Sequence, residues 1–187
     1  MAKSPSLRPD EAELARRVAA GEQAAFETIY TNYYERLFRF VYRVTRRLDT
    51  VEEVIQETLL VVWEKSDSYD NSCKFSTWLF GIAYRKALKS LAKSAKSDND
   101  LDLADFEEQL ADDGPSPARQ IERDDWLNAA LDILPAEQRA VIELTFHQGL
   151  NYKEIAVILG CPENTVKTRM FHARKKLQQF AATVPGE

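Results

Sequence analysis

Apolar residues recur at steps of three and four along most of the chain, which is the spacing of amphipathic helices. The pattern predicts helices over the ranges 11–20, 26–47, 51–63, 75–91, 117–133, 136–148 and, as a pair, 151–177. No stretch shows the strict alternation of apolar and polar residues that is typical of half-buried strands. The sequence therefore predicts an all-α fold.

The stretch from Asn151 to Leu177, NYKEIAVILGCPENTVKTRMFHARKKL, carries the signals of a helix-turn-helix. Asn151 and Glu154 predict a capping box at the start of its first helix. Gly160 suits the left-handed residue that ends this helix, and Pro162 suits the first turn of the next one. The buried stripe of the second helix is predicted to contain Val166, Met170, Ala173 and Leu177.

The other faces of this second helix are rich in basic side chains. In a helix-turn-helix the second helix enters the major groove, where such side chains reach bases and phosphates. The alternative is an ordinary helical hairpin with a solvated basic face. Ala156 between the helices, Gly160 at the turn and Val166 in the stripe together favour DNA binding. The residues predicted to contact DNA are Lys167, Thr168, Arg169, Phe171, His172, Arg174 and Lys175.

Charge is distributed unevenly along the 187 residues, although the net charge is only −5. Between 74 and 96 the charged residues are all basic, and between 98 and 113 they are all acidic. The acidic stretch ends in the sequence GPSP, which is typical of a linker. We therefore predict two small helical domains, over 1–96 and 117–187, joined by an acidic flexible linker over 97–116.

Each charged stretch has more than one explanation. Opened DNA stacks its bases on aromatic rings while cations follow its phosphates, so the basic stretch with Phe75 and Trp78 suits single-stranded DNA. Packing in the hydrophobic core is the alternative for both rings. The acidic stretch is explained either by solvated disorder or by mimicry of a nucleic acid, and residues 1–10 are expected to be disordered.

Other classes of function find little support in the sequence. No nucleophile–base pair or phosphate-binding glycine loop is recognisable, so no enzyme is predicted. Cys73 and Cys161 lie far apart, as do His147 and His172, so we expect no disulfide framework, no metal site and no cofactor. Without a membrane-spanning apolar run or a signal-peptide core, the chain is expected to be cytoplasmic and not inserted in a membrane.

Three stretches resemble bacterial RNA polymerase sigma factors of the extracytoplasmic-function (ECF) group, within the sigma-70 family. They are VEEVIQETLLVVW at 51–63, KFSTWLFGIAYRKAL at 74–88 and LPAEQRAVIELTFHQGLNYKEIAVILGCPENTVKTRMFHARKKL at 134–177. Their order and spacing agree with the family. Together with the predicted helix over 26–47, the resemblance covers most of the chain.

The resemblance implies a promoter-specificity subunit with no catalytic activity and no metal. Its first domain would bind the clamp helices of core RNA polymerase and open the −10 element of promoter DNA, and its second domain would read the −35 element. Many such proteins are held inactive by an anti-sigma factor. The residues expected to bind polymerase are Glu52, Glu53, Gln56 and Glu57. Those expected at the −10 strand are Lys74, Phe75, Trp78, Arg85, Lys86 and Lys89.

Two positions depart from the family pattern. Relatives often carry Asn where this chain has Arg85, which favours phosphate binding over base reading there. Most relatives carry Asp where this chain has Thr50, a residue that is also predicted to cap the next helix in a capping box with Glu53. Phosphorylation of Thr50 by a Ser/Thr kinase would add about −1.5 to −2 charges at a helix start and activate polymerase binding. The alternative is that Thr50 is a cap and nothing more.

Two other functions compete with the sigma-factor interpretation. A stand-alone helix-turn-helix regulator would use the first domain as a sensor or dimerisation module, but neither α/β alternation nor a receiver-like acidic cluster is seen. A helical adaptor that binds only proteins would leave the basic helix around Arg174 unexplained. Transcription with purified core polymerase distinguishes these alternatives.

Overall fold

The computed structural model describes residues 10–97 and 125–183, and within these ranges it has eight α-helices and no β-strand. The helices before the gap are α1 (Glu11–Ala19), α2 (Gln23–Thr45), α3 (Val51–Lys65) and α4 (Phe75–Ser97). Those after it are α5 (Asp125–Asp132), α6 (Ala136–Phe146), α7 (Tyr152–Leu159) and α8 (Glu163–Thr183). Short 3₁₀ turns occupy Leu48–Thr50 and Ser66–Ser68.

This architecture confirms the predicted all-α fold. The predicted linker over 97–116 lies outside the described residues apart from residue 97, as do most of the predicted disordered segment over 1–10 and the first part of the predicted helix over 117–133. The remaining predicted helices all form, and their bounds differ from the prediction by up to six residues, most of all at the ends of α4 and α8.

The apolar stripe of α2 forms the centre of the first part of the chain. Residues three or four apart on α2 share one face, and this face packs against α3 and α4. The ring of Tyr33 lies edge-on to Phe75 and Phe80, with 5.8 and 6.4 Å between ring centroids. The buried apolar residues of α2 include Ile29, Leu37, Phe40, Val41 and Val44.

The junction between α2 and α3 differs from the prediction. Arg46 ends α2 in a left-handed conformation, with φ at 60°. The chain then makes the 3₁₀ turn that ends at Thr50, whose hydroxyl donates a hydrogen bond to the carbonyl of Arg47 at 3.3 Å. Thr50 has helical rather than extended backbone angles and makes no side-chain cap. The capping box predicted for Thr50 and Glu53 is therefore wrong.

The helix-turn-helix forms from the local signals that predicted it. The Oδ1 atom of Asn151 accepts from the Glu154 amide at 3.0 Å, and the Glu154 carboxylate accepts from the Asn151 amide at 2.9 Å, which confirms the capping box. Gly160 is left-handed, with φ at 61°, and Pro162 directly precedes α8. The buried residues that hold α7 and α8 include Ile155, Ile158, Val166, Met170 and Ala173.

The two described parts of the chain pack directly on each other. Helix α6 lies against α2, and helix α7 lies against α4. Leu37 and Phe80 from the first part belong to the same contiguous hydrophobic cluster as Leu144 and Ile158 from the second. This contact is absent from the prediction of two domains joined by a flexible linker, and the predicted domain boundaries stay a prediction.

Candidate nucleic-acid and protein interfaces

The exposed face of α8 lies opposite its buried stripe. Phe171 is 64 % exposed although it is a large apolar residue, and its ring lies 5.5 Å from that of His172. At 100° per residue, six of the seven predicted DNA contacts fall on this one face of the helix. The exposed residues of this face are Lys167, Thr168, Phe171, His172, Arg174 and Lys175.

Two of the predicted DNA contacts already have partners within the chain. Arg169 is half-buried, and its Nη1 atom donates to the Sγ atom of Cys161 at 3.7 Å, away from the exposed face. Lys167 pairs with Glu163 at 2.9 Å, and its hydrogen bond lowers the pKa of that carboxyl. Arg174 and Lys175 are the cations best placed to meet a phosphate on this face.

The residues predicted for the −10 strand lie along α4 at different depths. Phe75 is only 1 % exposed and packs edge-on against Tyr69 at 5.5 Å, so its burial supports the alternative of a core residue. Trp78 packs beside it, with 5.7 Å between ring centroids, and is half-buried. Arg85 and Lys89 are exposed. The cations of α4, rather than its aromatic rings, therefore form the accessible part of this surface.

Lys74 connects the start of α4 to the helix-turn-helix. Its Nζ atom lies 2.7 Å from the Oε1 atom of Glu154, and this hydrogen bond raises the pKa of Lys74. Burial favours a higher pKa for Glu154, but Lys74 and the amide of Asn151 together hold that pKa below its usual range. A residue predicted to hold promoter DNA is thus engaged by the other part of the chain.

The acidic face of α3, predicted to bind polymerase, lies beside the basic face of α4. The Oε2 atom of Glu57 is 2.8 Å from the Nζ atom of Lys86, whose hydrogen bond lowers the pKa of Glu57. A second ion pair joins the Oε1 atom of Glu53 to the Nζ atom of Lys93, at 3.8 Å. The predicted polymerase surface and the predicted −10 surface therefore share a common border.

An exposed apolar groove adjoins this acidic face and was missed by the sequence reasoning. Gln56 borders it, while Leu60 is 52 % exposed and Trp63 packs edge-on against Phe26 at 5.3 Å. Exposed apolar patches on soluble proteins often mark protein interfaces. Leu60 was the available signal, because it falls outside the buried stripe of α3, which comprises Val51, Val54, Ile55, Thr58, Leu59 and Val62.

Thr50 is held in the turn before α3 rather than presented to solvent. It is 9 % exposed, and its hydroxyl is bonded to the carbonyl of Arg47. The neighbouring Asp49 pairs with Arg47 at 3.0 Å. A kinase would have to open this 3₁₀ turn before it could reach the hydroxyl.

Among residues 10–97 and 125–183, no group of three or more His, Cys, Asp or Glu side chains could hold a metal ion. Cys73 and Cys161 are both free thiols. None of the described helices is long and apolar enough to cross a membrane.

Comparison with known proteins identifies the family of this chain. The family model for sigma-70 region 2 matches residues 29–97, and that for sigma-70 region 4 matches residues 124–177. The chain is 31 % identical to the ECF RNA polymerase sigma factor SigW of Bacillus subtilis, over 88 % of this chain and 92 % of SigW. It is 27 % identical to the RNA polymerase sigma-H factor of Pseudomonas aeruginosa, over 89 % of this chain and 91 % of that protein.

A solved structure shares the fold over nearly the same extent. The sigma factor RpoE from Bartonella quintana, crystallised with the anti-sigma factor NepR, superposes with a TM-score of 0.66 at 25 % identity, covering 86 % of this chain and 98 % of that one. Fold, matched regions and full-length similarity agree with one another. The chain belongs to the extracytoplasmic-function group of RNA polymerase sigma factors, within the sigma-70 family.

Proposed function

We propose that this chain binds core RNA polymerase, recognises the −35 and −10 elements of a promoter and supports DNA opening. The observation that carries this proposal is the exposed face of α8, where Arg174 and Lys175 stand beside Phe171 on the second helix of a helix-turn-helix. Such a helix reads the major groove while its cations hold phosphates. The chain would act in the cytoplasm without catalytic activity, metal or cofactor of its own.

Polymerase would bind across the acidic face of α3 and the apolar groove next to it. Glu52, Glu53, Gln56 and Glu57 supply acceptors, and Leu60 and Trp63 supply apolar area beside them. Interfaces of this composition gain specificity from charge and affinity from buried aromatic residues. The exposed groove supports extending the predicted polymerase surface from the acidic side chains to the rings.

The −10 strand would follow the basic face of α4. Arg85 and Lys89 are exposed there, and Lys86 would contribute once Glu57 is engaged by polymerase. Cations that track a phosphate backbone suit a strand whose bases have come apart. Trp78 is the aromatic side chain best placed to contribute, whereas the burial of Phe75 favours a supporting role in the core.

Two routes of regulation are proposed for this chain. An anti-sigma factor is one, because the similar RpoE was crystallised with NepR. Phosphorylation of Thr50 by a Ser/Thr kinase is the other, because it would add charge at the start of the helix that carries the polymerase-binding acids. For Thr50, the alternative is a purely structural role in the turn between α2 and α3.

Transcription in vitro tests the main proposal. Purified chain and core polymerase are combined on a library of promoter fragments, and promoter-dependent transcripts are expected. Loss of these transcripts in Arg174→Ala, but not in the matched helix variant Gln179→Ala, would assign the recognition to α8. DNA binding without core binding would instead indicate a stand-alone regulator and overturn the proposal.

A further inference from the structure

His172 lies on the exposed face of α8 but, unlike the basic residues around it, carries no fixed charge. Arg169 comes three positions before it and Lys175 three positions after it, so both lie within one helical turn, as does Lys176. Lysine and arginine keep their charge near neutral pH, whereas histidine gains or loses a proton between about pH 5 and pH 8. The charge of this face therefore varies with the protonation of His172.

The imidazole of His172 is available to an external partner. The side chain is exposed, and no residue within 10–97 or 125–183 forms a hydrogen bond or an ion pair with it. The ring of Phe171 lies edge-on to the imidazole, with 73° between the ring planes, and this contact restricts its rotation. A side chain that is already restrained loses less conformational freedom when it binds a partner.

The helices packed against α8 lie away from His172. Helices α5, α6 and α7 contact α8, whose buried stripe of Val166, Met170 and Ala173 faces the interior. The charged side chains described on these three helices interact elsewhere: Asp132 with Arg46, Glu137 with Tyr84, Arg139 with the carbonyl of Val44, Glu143 with Arg43 and His147, Lys153 with Glu163, and Glu154 with Lys74. A DNA duplex on the exposed face would therefore meet His172 without competition from these groups.

Protonation changes what His172 can bind. A neutral imidazole has one N–H donor and one acceptor, whereas an imidazolium has two donors and a positive charge. DNA presents anionic phosphate oxygens along its backbone, and guanine presents the O6 and N7 acceptors in the major groove. Because these groups bind the imidazolium more tightly than the neutral ring, binding is coupled to the uptake of a proton.

We propose that His172 couples recognition of the −35 element to the proton concentration. Its imidazolium donates to an acceptor on the duplex, which is either a guanine edge or a phosphate oxygen, and the neutral ring makes a weaker contact. The inference rests on the proposed function of α8. Affinity for the −35 element falls as the pH rises, because fewer molecules carry the extra donor and charge. This chain would then use its promoter more strongly when the cytoplasm becomes acidic.

Duplex binding at different pH values tests this proposal. The full chain first selects duplexes from a randomised pool, and its affinity for a selected duplex is measured from pH 6 to pH 8 at constant ionic strength. Wild-type affinity should fall about threefold to tenfold across this range, as expected for one histidine that gains a proton on binding. His172→Gln, which cannot gain the proton, and His172→Arg, which keeps its charge, should both bind independently of pH.

Calorimetry measures the proton uptake itself. The binding enthalpy at pH 7 is compared in buffers that differ in ionisation enthalpy, and its dependence on the buffer should show that the wild type takes up a fraction of one proton. This dependence should disappear in His172→Gln. It should persist in His147→Gln, the matched variant of the other histidine, which pairs with Glu143 on α6. A purely structural role of His172 would leave the proton uptake unchanged in all variants.

Modified duplexes distinguish the two kinds of acceptor. Substitution by 7-deazaguanine removes the N7 acceptor of one guanine at a time, and a methylphosphonate removes the charge of one phosphate at a time. For a guanine contact, one 7-deazaguanine duplex should bind the wild type without pH dependence, and for a phosphate contact, one methylphosphonate duplex should do so. Full pH dependence in every modified duplex would overturn the proposed contact.

The outcomes separate this inference from the proposed function. Equal wild-type affinity at pH 6 and pH 8, or the same pH dependence in His172→Gln as in the wild type, would overturn the role of His172 while leaving the sigma-factor function intact. Failure of the full chain, and of its complex with core polymerase, to recognise any −35 sequence at either pH would instead remove the proposed function.

Discussion

The Nζ atom of Lys86 lies 2.8 Å from the Oε2 atom of Glu57, and this ion pair borders two surfaces proposed for different partners. Glu57 belongs to the face of α3 proposed to bind polymerase, and Lys86 belongs to the face of α4 proposed to bind DNA. The pair is partly exposed, so it contributes at most about 1 kcal/mol to the free energy of unfolding. We expect its main effect on function, because a polymerase that engages Glu57 releases Lys86 toward the DNA strand.

Exchanging these two charges separates folding from function. The double variant Glu57→Lys and Lys86→Glu keeps an ion pair at this position, so its melting temperature should stay close to that of the wild type. Its core affinity and its permanganate reactivity at the −10 element should both fall, because each surface carries the wrong charge. Wild-type values of both measurements would contradict the assignment of these surfaces.

On the face of α8 proposed to bind the −35 element, Arg174 and Lys175 are expected to make different kinds of contact with DNA. Arg174→Ala should weaken binding by about 1–3 kcal/mol if the guanidinium contacts a base, and should relax specificity at that base pair. Lys175→Ala should weaken binding to all sequences and reduce the slope of log K against log salt by about 1. Binding to −35 duplexes at several salt concentrations measures both effects. Wild-type binding by both variants would show that this face does not contact the DNA.

The apolar groove beside α3 should contribute to polymerase affinity as much as its acids do. Trp63→Ala removes a large exposed ring and should weaken core binding by about 2 kcal/mol or more, as truncated aromatic anchors do. Gln56→Ala and Glu53→Lys should also weaken it while helical content is unchanged. Glu35→Lys, on the far side of α2, is the charge-matched control, and equal core binding by all four variants would exclude this surface.

Variants of Thr50 distinguish a phosphorylation switch from a purely structural role of this residue. If phosphorylation is required, Thr50→Ala should be inactive in cells, and Thr50→Asp should bind core polymerase without a kinase. Because Thr50 is nearly buried, the Asp variant is also expected to lose some stability, which thermal unfolding measures. Full promoter-driven transcription by Thr50→Ala would leave Thr50 as a structural residue.

Stability should fall in acid because several glutamates have lowered pKa values in the folded chain. Glu22, Glu57, Glu154 and Glu163 each lie beside a basic partner and keep their charge at a lower pH than in the unfolded chain. The unfolded chain then binds more protons, so the free energy of unfolding decreases as pH drops below the usual glutamate pKa of about 4.3. Urea denaturation between pH 7 and pH 3.5 measures this loss of stability. Lys74→Ala should make the free energy of unfolding depend less on pH, because it removes the basic partner of Glu154. A free energy of unfolding that increases toward pH 3.5 would contradict the lowered pKa values of these glutamates.

Most of the local structure follows from residues that lie close together along the chain. Helical periodicity predicted the α-helices. The helix-turn-helix was predictable because Asn151, Glu154 and Gly160 form its caps through contacts with backbone only a few residues away. The exposed face of α8 followed from the same periodicity. Thr50 was the exception, since its conformation depends on how α2 ends at Arg46 rather than on the spacing to Glu53.

Which surfaces are covered and which are free depends on the packing of helices that are distant in the sequence. Phe75 and Trp78 had the same two explanations in the sequence, and packing against Tyr33 and Tyr69 buried the first ring while leaving the second half-exposed. The pairing of Arg43 with Glu143 joins residues one hundred positions apart, and no local pattern encodes such a contact. Helix periodicity acts over a few residues, whereas the docking of α6 and α7 on α2 and α4 depends on shape and charge brought together from distant parts of the chain.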